Sequence, residues 1–215
     1  MSFHTYPKIE TLFDRFPNDK RHVDLTKYRR PEYEFISMWR ITEKVDGTNV
    51  RLAFGEGFGY FFKGRTDKAQ FTPAQEQFLH NLCGTIESDV MDIVQRYGLT
   101  DITLYGELYG PKIQKVGAQY GDELGFRMFD ILVNDSVWLD DDSVRANAGY
   151  WGLDMVPDMG VHSTFDIIEM CQDGFVSKFS KDRELISEGV IAKSLVPLYA
   201  NDGKRVMWKL KYSDF

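Results

Sequence analysis

Residues 42–49 read Thr42-Glu43-Lys44-Val45-Asp46-Gly47-Thr48-Asn49, and an apolar-rich segment lies on each side of them. The upstream segment covers residues 35–41 and the downstream one covers residues 50–54, and both have the composition of β-strands. Asp-Gly is a strong turn signal, so the sequence predicts a hairpin with Lys44 beside its turn. Such a lysine is either an ordinary surface residue or a nucleophile, because burial or a neighbouring cation can free the lone pair of an amine.

The composition is that of a chain with a hydrophobic core. Its 215 residues are 43% hydrophobic and 14% aromatic. The net charge of −7 argues against a general nucleic-acid coat protein, although it is compatible with a local basic groove. The sequence contains neither an apolar run near the roughly 18 residues of a membrane span nor the pattern of a signal peptide.

The two cysteines, Cys83 and Cys171, do not have a metal-like spacing, and we interpret both as reduced thiols. Reduced thiols are typical of an intracellular protein, so we expect a cytoplasmic protein that does not associate with membranes. We also expect a monomer.

The remaining sequence predicts strands in adjacent pairs, with helices between some of them. Strands are expected at residues 60–65, 102–109, 126–133, 137–139, 189–193 and 206–212. Helices are expected to begin at Thr72, at residues 140–143 and at Ser163, where capping residues stand. Residues 1–34 read as irregular, with one helical turn at residues 9–13. Because the strands are paired rather than alternating with helices, we expect an α+β fold in which helices flank antiparallel sheets.

Two basic runs with aromatic neighbours occur near the N-terminus, at residues 20–22 and 27–30. They either follow a phosphate backbone or are solvated surface charges, which is the more common case.

Two lysines share one face of the last predicted strand. Lys209 and Lys211 are two residues apart and point to the same side, whereas Trp208, Leu210 and Tyr212 point into a core. Two adjacent ammonium groups suit an anion such as a triphosphate. The alternative is a solvated strand face.

Two acids and one arginine also stand out. Glu188 precedes the apolar strand 189–192, so its carboxylate needs a partner such as a divalent cation. Glu107 lies inside an apolar strand, and Arg65 ends another strand, from which it could reach a ribose or a phosphate. Together with Lys44, this set suits nucleotidyl transfer, in which an amine attacks the α-phosphate of a nucleotide.

Taken in order, these stretches resemble the covalent nucleotidyltransferases, the superfamily of RNA ligases, DNA ligases and mRNA capping enzymes. Five stretches look like its motifs I, III, IIIa, IV and V, namely residues 44–47, 104–110, 126–130, 188–193 and 208–211. The likeness spans roughly residues 35–212 and is greatest to ATP-dependent RNA ligases of the T4 RNA ligase 2 type. It implies a nucleotidyltransferase (ATP-grasp-like) catalytic domain.

The resemblance also implies residue roles. Lys44 would be the adenylated nucleophile, and Lys209 and Lys211 would hold phosphates. The residues implied to bind the nucleotide are Glu43, Asn49, Arg65, Glu107 at the ribose and Phe129 on the purine. Glu188 would hold a metal ion, Mg²⁺ or Mn²⁺. We leave Lys193 out of the site, because strand alternation predicts that it lies opposite Glu188.

The implied reaction starts with ATP, passes AMP to a 5′-phosphate RNA end and joins that end to a 3′-hydroxyl. Because the sequence ends three residues after Tyr212, we expect one adenylation domain over residues 1–215, without a C-terminal OB or helical domain. A separate subunit would then supply further RNA contacts. The alternatives are a small ATP-dependent DNA ligase, a non-catalytic module that binds nucleotides or nucleic-acid ends and, less favoured, a capping enzyme that uses GTP.

Overall fold

The computed structural model describes residues 4–181 and 183–215 of the chain. In this part the strands are β1 (Glu10–Thr11), β2 (Phe13–Phe16), β3 (Asp19–Tyr28), β4 (Met38–Glu43), β5 (Thr48–Gly55), β6 (Gly59–Gly64), β7 (Asp101–Tyr109), β8 (Gly125–Val133), β9 (Val137–Trp138), β10 (Asp158–Ser163), β11 (Gly189–Ser194) and β12 (Met207–Lys211). The helices are α1 (Pro73–Tyr97), α2 (Gly117–Tyr120), α3 (Asp141–Tyr150) and α4 (Thr164–Asp173), and 3₁₀ turns occur at Pro31–Phe35 and Tyr212–Asp214. The predicted α+β class is confirmed.

The chain divides into two compact units, each with a sheet and a hydrophobic core of its own. Unit 1 comprises Met1–Pro7 and Asp46–Val156, and unit 2 comprises Lys8–Val45 and Pro157–Phe215.

Unit 1 contains an antiparallel sheet in the order β6–β5–β7–β8–β9. Helix α1 packs its apolar stripe against one face of this sheet, where Val50, Leu52 and Leu104 are fully buried. The predicted ends of α1 are confirmed. Thr72 and Gln75 form a capping box, and Gly98 ends the helix with a φ of 62°, which favours glycine.

Unit 2 contains a five-stranded sheet in the order β1–β12–β11–β4–β10, together with the hairpin β2–β3. Alternate side chains of its central strands enter the core, namely Trp39, Ile41, Val190, Ala192, Trp208 and Leu210. The predicted capping box at the start of α4 is also present, between Ser163 and Asp166. The regular alternation leaves the opposite face of the sheet available for polar side chains.

The predicted hairpin across Asp46-Gly47 is wrong. Strand β4 pairs with β10 and β11 in unit 2, whereas β5 pairs with β6 and β7 in unit 1. The Asp-Gly signal is local, and it does not determine whether the strands on either side of a turn become partners. Lys44 therefore lies where the chain leaves one sheet for another.

The prediction for the N-terminal residues is wrong as well. Residues 9–13 form no helical turn, because β1 pairs in parallel with β12, with Thr11 opposite Lys209. The following residues form the antiparallel pair β2–β3. At the other end of the chain, Tyr212 lies in a 3₁₀ turn and is 50% exposed, so the prediction that it points into the core is also wrong.

Cys83 and Cys171 are free and buried, in agreement with the predicted thiols. In the part of the chain that the structure describes, no helix combines the length and the apolar character needed to cross a membrane.

Candidate active site

Lys44 stands directly after β4, in unit 2. Its backbone N–H donates to the carbonyl oxygen of Gly189 at 2.9 Å, which extends the pairing of β4 with β11 by one residue. Val45 after it is 4% exposed. The backbone of the candidate nucleophile is therefore held on both sides, and its side chain is only 21% exposed.

The carboxylate of Glu188 joins two of the predicted lysines. The Nζ atoms of Lys44 and Lys211 contact its two oxygens separately, Lys44 at Oε2 and Lys211 at Oε1. Burial is the largest influence on the pKa of Glu188 and raises it. The charges and hydrogen bonds of the two lysines together outweigh burial, so the pKa lies below its ordinary value of 4.5.

Gly189 makes this arrangement possible. Its φ is +147°, and a Cβ at this position would lie 2.1 Å from the carbonyl oxygen of Leu210 and 2.6 Å from Cα of Lys211. Only glycine allows this close approach of β11 to β12. The carbonyl oxygen of Glu188 accepts a hydrogen bond from the backbone N–H of Tyr212 at 3.1 Å, so Glu188 is fixed beside the end of β12.

Lys209 lies on the same face of β12 as Lys211, while Trp208 and Leu210 are fully buried on the other face. The predicted alternation along residues 208–211 is therefore confirmed. Lys209 has no carboxylate partner among the described residues. Burial, followed by the charges of Lys211 and Lys44, lowers the pKa of Lys209.

The argument that excluded Lys193 is wrong. Glu188 lies before β11 rather than in it, so strand alternation does not apply between the two residues. Lys193 is opposite Met207, just as Ile191 is opposite Lys209, so the register puts Lys193 on the Lys209 face of the sheet. Knowledge of the register of β11 against β12 would have placed Lys193 on this face, but the register cannot be read from the sequence.

Glu43 lies on the core face of the sheet, opposite Val190. It is 1% exposed, and its Oε2 accepts a hydrogen bond from the backbone N–H of Lys178 at 2.8 Å. Its Oε1 is buried and has no partner within residues 4–181 and 183–215. Contact of Glu43 with a nucleotide stays a prediction.

In unit 1, the structure brings Asn49 and Glu107 together as cross-strand partners on β5 and β7. Gly47 permits a close approach to Glu107, since a Cβ there would lie 2.7 Å from Cγ of Glu107. Oδ1 of Asn49 is buried and accepts no hydrogen bond from any described residue. A buried acceptor of this kind normally has a partner, which a ligand can provide.

The loop between β7 and β8 fixes the start of β5. Tyr120 accepts a hydrogen bond from the backbone N–H of Asp46 at 3.1 Å, and Gln114 donates to the carbonyl oxygen of Gly47 at 3.0 Å. Asp46 and Gly47 are therefore anchored within unit 1.

Phe129 is the extra residue of a β-bulge. The pairing of β7 with β8 steps from Tyr105–Asp130 to Gly106–Met128 and leaves Phe129 without an opposite residue. A bulge redirects its side chain. The half-buried ring meets that of Tyr6 edge-on, with centroids 4.9 Å apart. Arg65, the remaining predicted residue, follows β6 directly and is exposed.

Sequence reasoning missed two buried charged residues of unit 1. Arg51 is 1% exposed and forms an ion pair with Asp67, and it shares the face of β5 with Asn49. Asp130 is fully buried and accepts a hydrogen bond from the hydroxyl of Tyr6 at 2.7 Å. The alternation of polar and apolar residues along β5 is a signal that could have identified Arg51.

The fold and this grouping of lysines and acids are those expected of a nucleotidyltransferase. The family model described as RNA ligase matches residues 37–211, and the chain therefore belongs to the RNA ligase family.

Solved structures of the Naegleria gruberi RNA ligase have the same fold. An apo point mutant matches with a TM-score of 0.65 and 18% identity, over 96% of this chain and 55% of that one. A point mutant with ATP and Mn matches with a TM-score of 0.62 and 19% identity, over 96% and 62% of the two chains. Another mutant, with AMP and Mn, matches with a TM-score of 0.59 and 19% identity, over 97% and 60%. This chain thus spans 55% to 62% of the length of the chains in these three structures.

Proposed function

We propose that this protein is an ATP-dependent RNA ligase that works through a covalent AMP adduct on Lys44. The observation that carries the proposal is the carboxylate of Glu188, which binds both Lys44 and Lys211. Membership of the RNA ligase family supports it, as do the structurally similar ligases solved with ATP or AMP and Mn. We also propose that both units belong to one adenylation domain, because the family match covers most of each.

In the first step, the ammonium group of Lys44 loses one proton to solvent, and the resulting neutral amine attacks the α-phosphorus of ATP. The N–P bond forms while the bond from the α-phosphorus to its bridging oxygen breaks, pyrophosphate leaves, and a second proton passes from the nitrogen to solvent. Lys209 and Lys211 stabilise the negative charge on the phosphates. The lack of a carboxylate partner for Lys209 within the described residues supports this role.

A divalent metal ion fits Glu188. Mg²⁺ is commonly held by one or two carboxylates together with substrate phosphates. Among the described residues, no group of three or more His, Cys, Asp or Glu is placed to hold a metal ion. When bound, Mg²⁺ or Mn²⁺ would neutralise phosphate charge.

We also propose contacts with the nucleoside part of ATP. We assign the ribose to Glu107, the purine to Phe129 and further contacts to Asn49, Arg65 and Glu43. The buried, unpartnered Oδ1 of Asn49 supports this assignment, because the amino group of adenine and the ribose hydroxyls are hydrogen-bond donors.

In the later steps, a 5′-phosphate oxygen of RNA attacks the phosphorus of the adduct, the N–P bond breaks and the lysine nitrogen takes a proton from solvent. A 3′-hydroxyl then attacks the 5′-phosphorus and loses its proton to solvent, the new phosphodiester bond forms, and AMP leaves as its phosphoanhydride bond breaks. We propose that RNA supplies both the 5′-phosphate end and the 3′-hydroxyl end. A separate subunit would supply further RNA contacts.

Intact mass spectrometry after incubation with ATP and Mg²⁺ tests the first step. We expect a mass increase of one AMP in the parent and in Lys68→Arg, which changes an exposed lysine of unit 1, and none in Lys44→Arg. Circular dichroism establishes that the variants are folded. GTP and NAD should give no adduct in the same measurement. In a ligation assay, RNA ends should be joined in preference to DNA ends. A folded parent without an adduct would support a non-catalytic binding module instead.

A further inference from the structure

The N-terminal residues of unit 2 line an open groove of about 590 Å³ that extends to Lys209. Strand β1 forms one side of it, because Thr11 is opposite Lys209 and the N–H of Leu12 donates to the carbonyl oxygen of Lys209 at 3.2 Å. The hairpin β2–β3 contributes Phe16 and Lys20 to the lining. The groove thus connects an N-terminal hairpin to the strand that carries the proposed phosphate-binding lysines.

The acidic side chains in this groove are already neutralised. Glu10 pairs with Arg30 at 2.6 Å, and Asp14 pairs with Lys27 and Arg29, each at 2.7 Å. A hydrogen bond from Arg30 lowers the pKa of Glu10, and one from Lys27 lowers the pKa of Asp14. Both acids therefore stay ionised and bound to their own cations.

Three lysines of the groove, by contrast, have no carboxylate partner in the described part of the chain. Lys209 is half-buried, whereas Lys8 is exposed and Lys20 is exposed near the start of β3, beside the turn of the hairpin. Burial and the nearby ammonium groups lower the pKa of Lys209, so its charged form is poorly stabilised without an anion. In a chain with a net charge of −7, this is a local basic site suited to phosphate.

An aromatic ring distinguishes this groove from a site for inorganic phosphate alone. Phe16 is 44% exposed, although it is a large apolar residue, and it ends β2 at the turn of the hairpin. A groove that combines cations with an exposed aromatic side chain is typical of proteins that bind single-stranded nucleic acid, because bases stack on the ring while phosphates meet the cations.

We propose that this groove binds a single-stranded segment of the RNA substrate, with phosphates at Lys8, Lys20 and Lys209 and one base stacked on Phe16. The proposal rests on the RNA ligase function proposed above and adds to it a path for the RNA strand within unit 2. It also gives the two basic N-terminal runs different roles. Residues 27–30 neutralise acids, whereas Lys20 is available to a ligand.

Fluorescence anisotropy with an end-labelled single-stranded RNA tests the groove. For Lys8→Ala/Lys20→Ala we expect about fivefold weaker binding or more at low salt. The slope of log affinity against log salt should become shallower by about 1.4, since each phosphate contact on a single strand contributes about 0.7. Phe16→Ala should weaken binding by about fivefold or more with an unchanged slope, and Phe16→Tyr should retain the affinity of the parent.

A matched control, Lys68→Ala/Arg96→Ala, removes two exposed cations from unit 1 and should bind RNA like the parent. The mass increase by AMP is measured on every variant and should persist in the groove variants. Failure of the RNA-binding proposal is therefore distinguishable from failure of the adenylation proposal. Parent-like RNA binding by the groove variants would overturn the inference, as would a parent that binds no RNA. Loss of the AMP adduct with unchanged RNA binding would also overturn it and would assign the groove to ATP.

Discussion

At the level of single residues, the most informative group is Glu188, one carboxylate between two ammonium groups. Its pKa in the folded state lies below 4.5, so ionised Glu188 stabilises the fold above that pH, and this contribution is lost as the pH falls through the folded-state pKa. Replacement by Gln keeps the shape and removes the charge. We expect Glu188→Gln to lower stability at pH 7 by about 2 kcal/mol, the scale of hydrogen bonds to a charged group.

Thermal unfolding between pH 7 and pH 3 measures this effect. The difference in Tm between the parent and Glu188→Gln should be roughly 5 °C at pH 7 and should shrink as the pH falls below 4.5. Glu169→Gln changes an exposed carboxylate on α4 of the same unit and should change Tm little at any pH. A difference between the parent and Glu188→Gln that stays constant down to pH 3 would contradict the ion-paired state of Glu188.

At the level of secondary-structure elements, the approach of β11 to β12 depends on Gly189. A Cβ at this position would overlap the backbone of Leu210, and the φ of +147° is unfavourable for other residues. We expect Gly189→Ala to destabilise the protein by about 2 kcal/mol or more and to reduce formation of the AMP adduct, since the strand that follows Glu188 must shift. Chemical denaturation and mass spectrometry measure the two effects.

Gly84→Ala is the matched control for this prediction. Gly84 lies inside α1, where a Cβ would have no neighbour within 4 Å, and it does not need a positive φ. Alanine there should stabilise the protein by about 0.5–1 kcal/mol, because it is the better helix former. If both variants lose similar stability, the close contact at Gly189 is not the cause.

The sequence was sufficient where the signals were local. Helix α1 could be predicted at both ends, because Thr72, Gln75 and Gly98 act within a few residues of the helix termini. It was insufficient where strands choose partners. The pairing of β1 with β12 joins residues from opposite ends of the chain, Glu10 and Trp208, and a two-residue strand has no periodicity to detect.

The residues of the candidate site likewise fall into those that local signals predict and those that depend on strand pairing. Lys209 and Lys211 could be placed on one face, because alternation within a single strand is a local property. The positions of Lys193 and Glu43 depend on the register of β11 against its two neighbours, and the reorientation of Phe129 depends on a bulge. Neither the register nor the bulge can be read from these residues alone.

At the level of the whole molecule, the two units contain separate hydrophobic cores, and each core holds one buried thiol. Cys83 belongs to unit 1 and Cys171 to unit 2. Burial raises the pKa of each thiol to about 12. At pH 8 such a thiol is ionised only to about one part in 10⁴, so a thiol reagent can react only when the surrounding unit opens.

Single-cysteine variants can therefore report on the opening of each unit. Cys171→Ser retains the thiol of unit 1, and Cys83→Ser retains the thiol of unit 2. Ile131→Val in unit 1 and Ile41→Val in unit 2 make the same change in buried strands, at about 1 kcal/mol each. We expect Ile131→Val to accelerate labelling of Cys83 about fivefold and leave Cys171 unchanged, and Ile41→Val to do the reverse, because each substitution weakens only the core that contains it. Equal acceleration of both thiols by either substitution would mean that the two cores open as one cooperative unit.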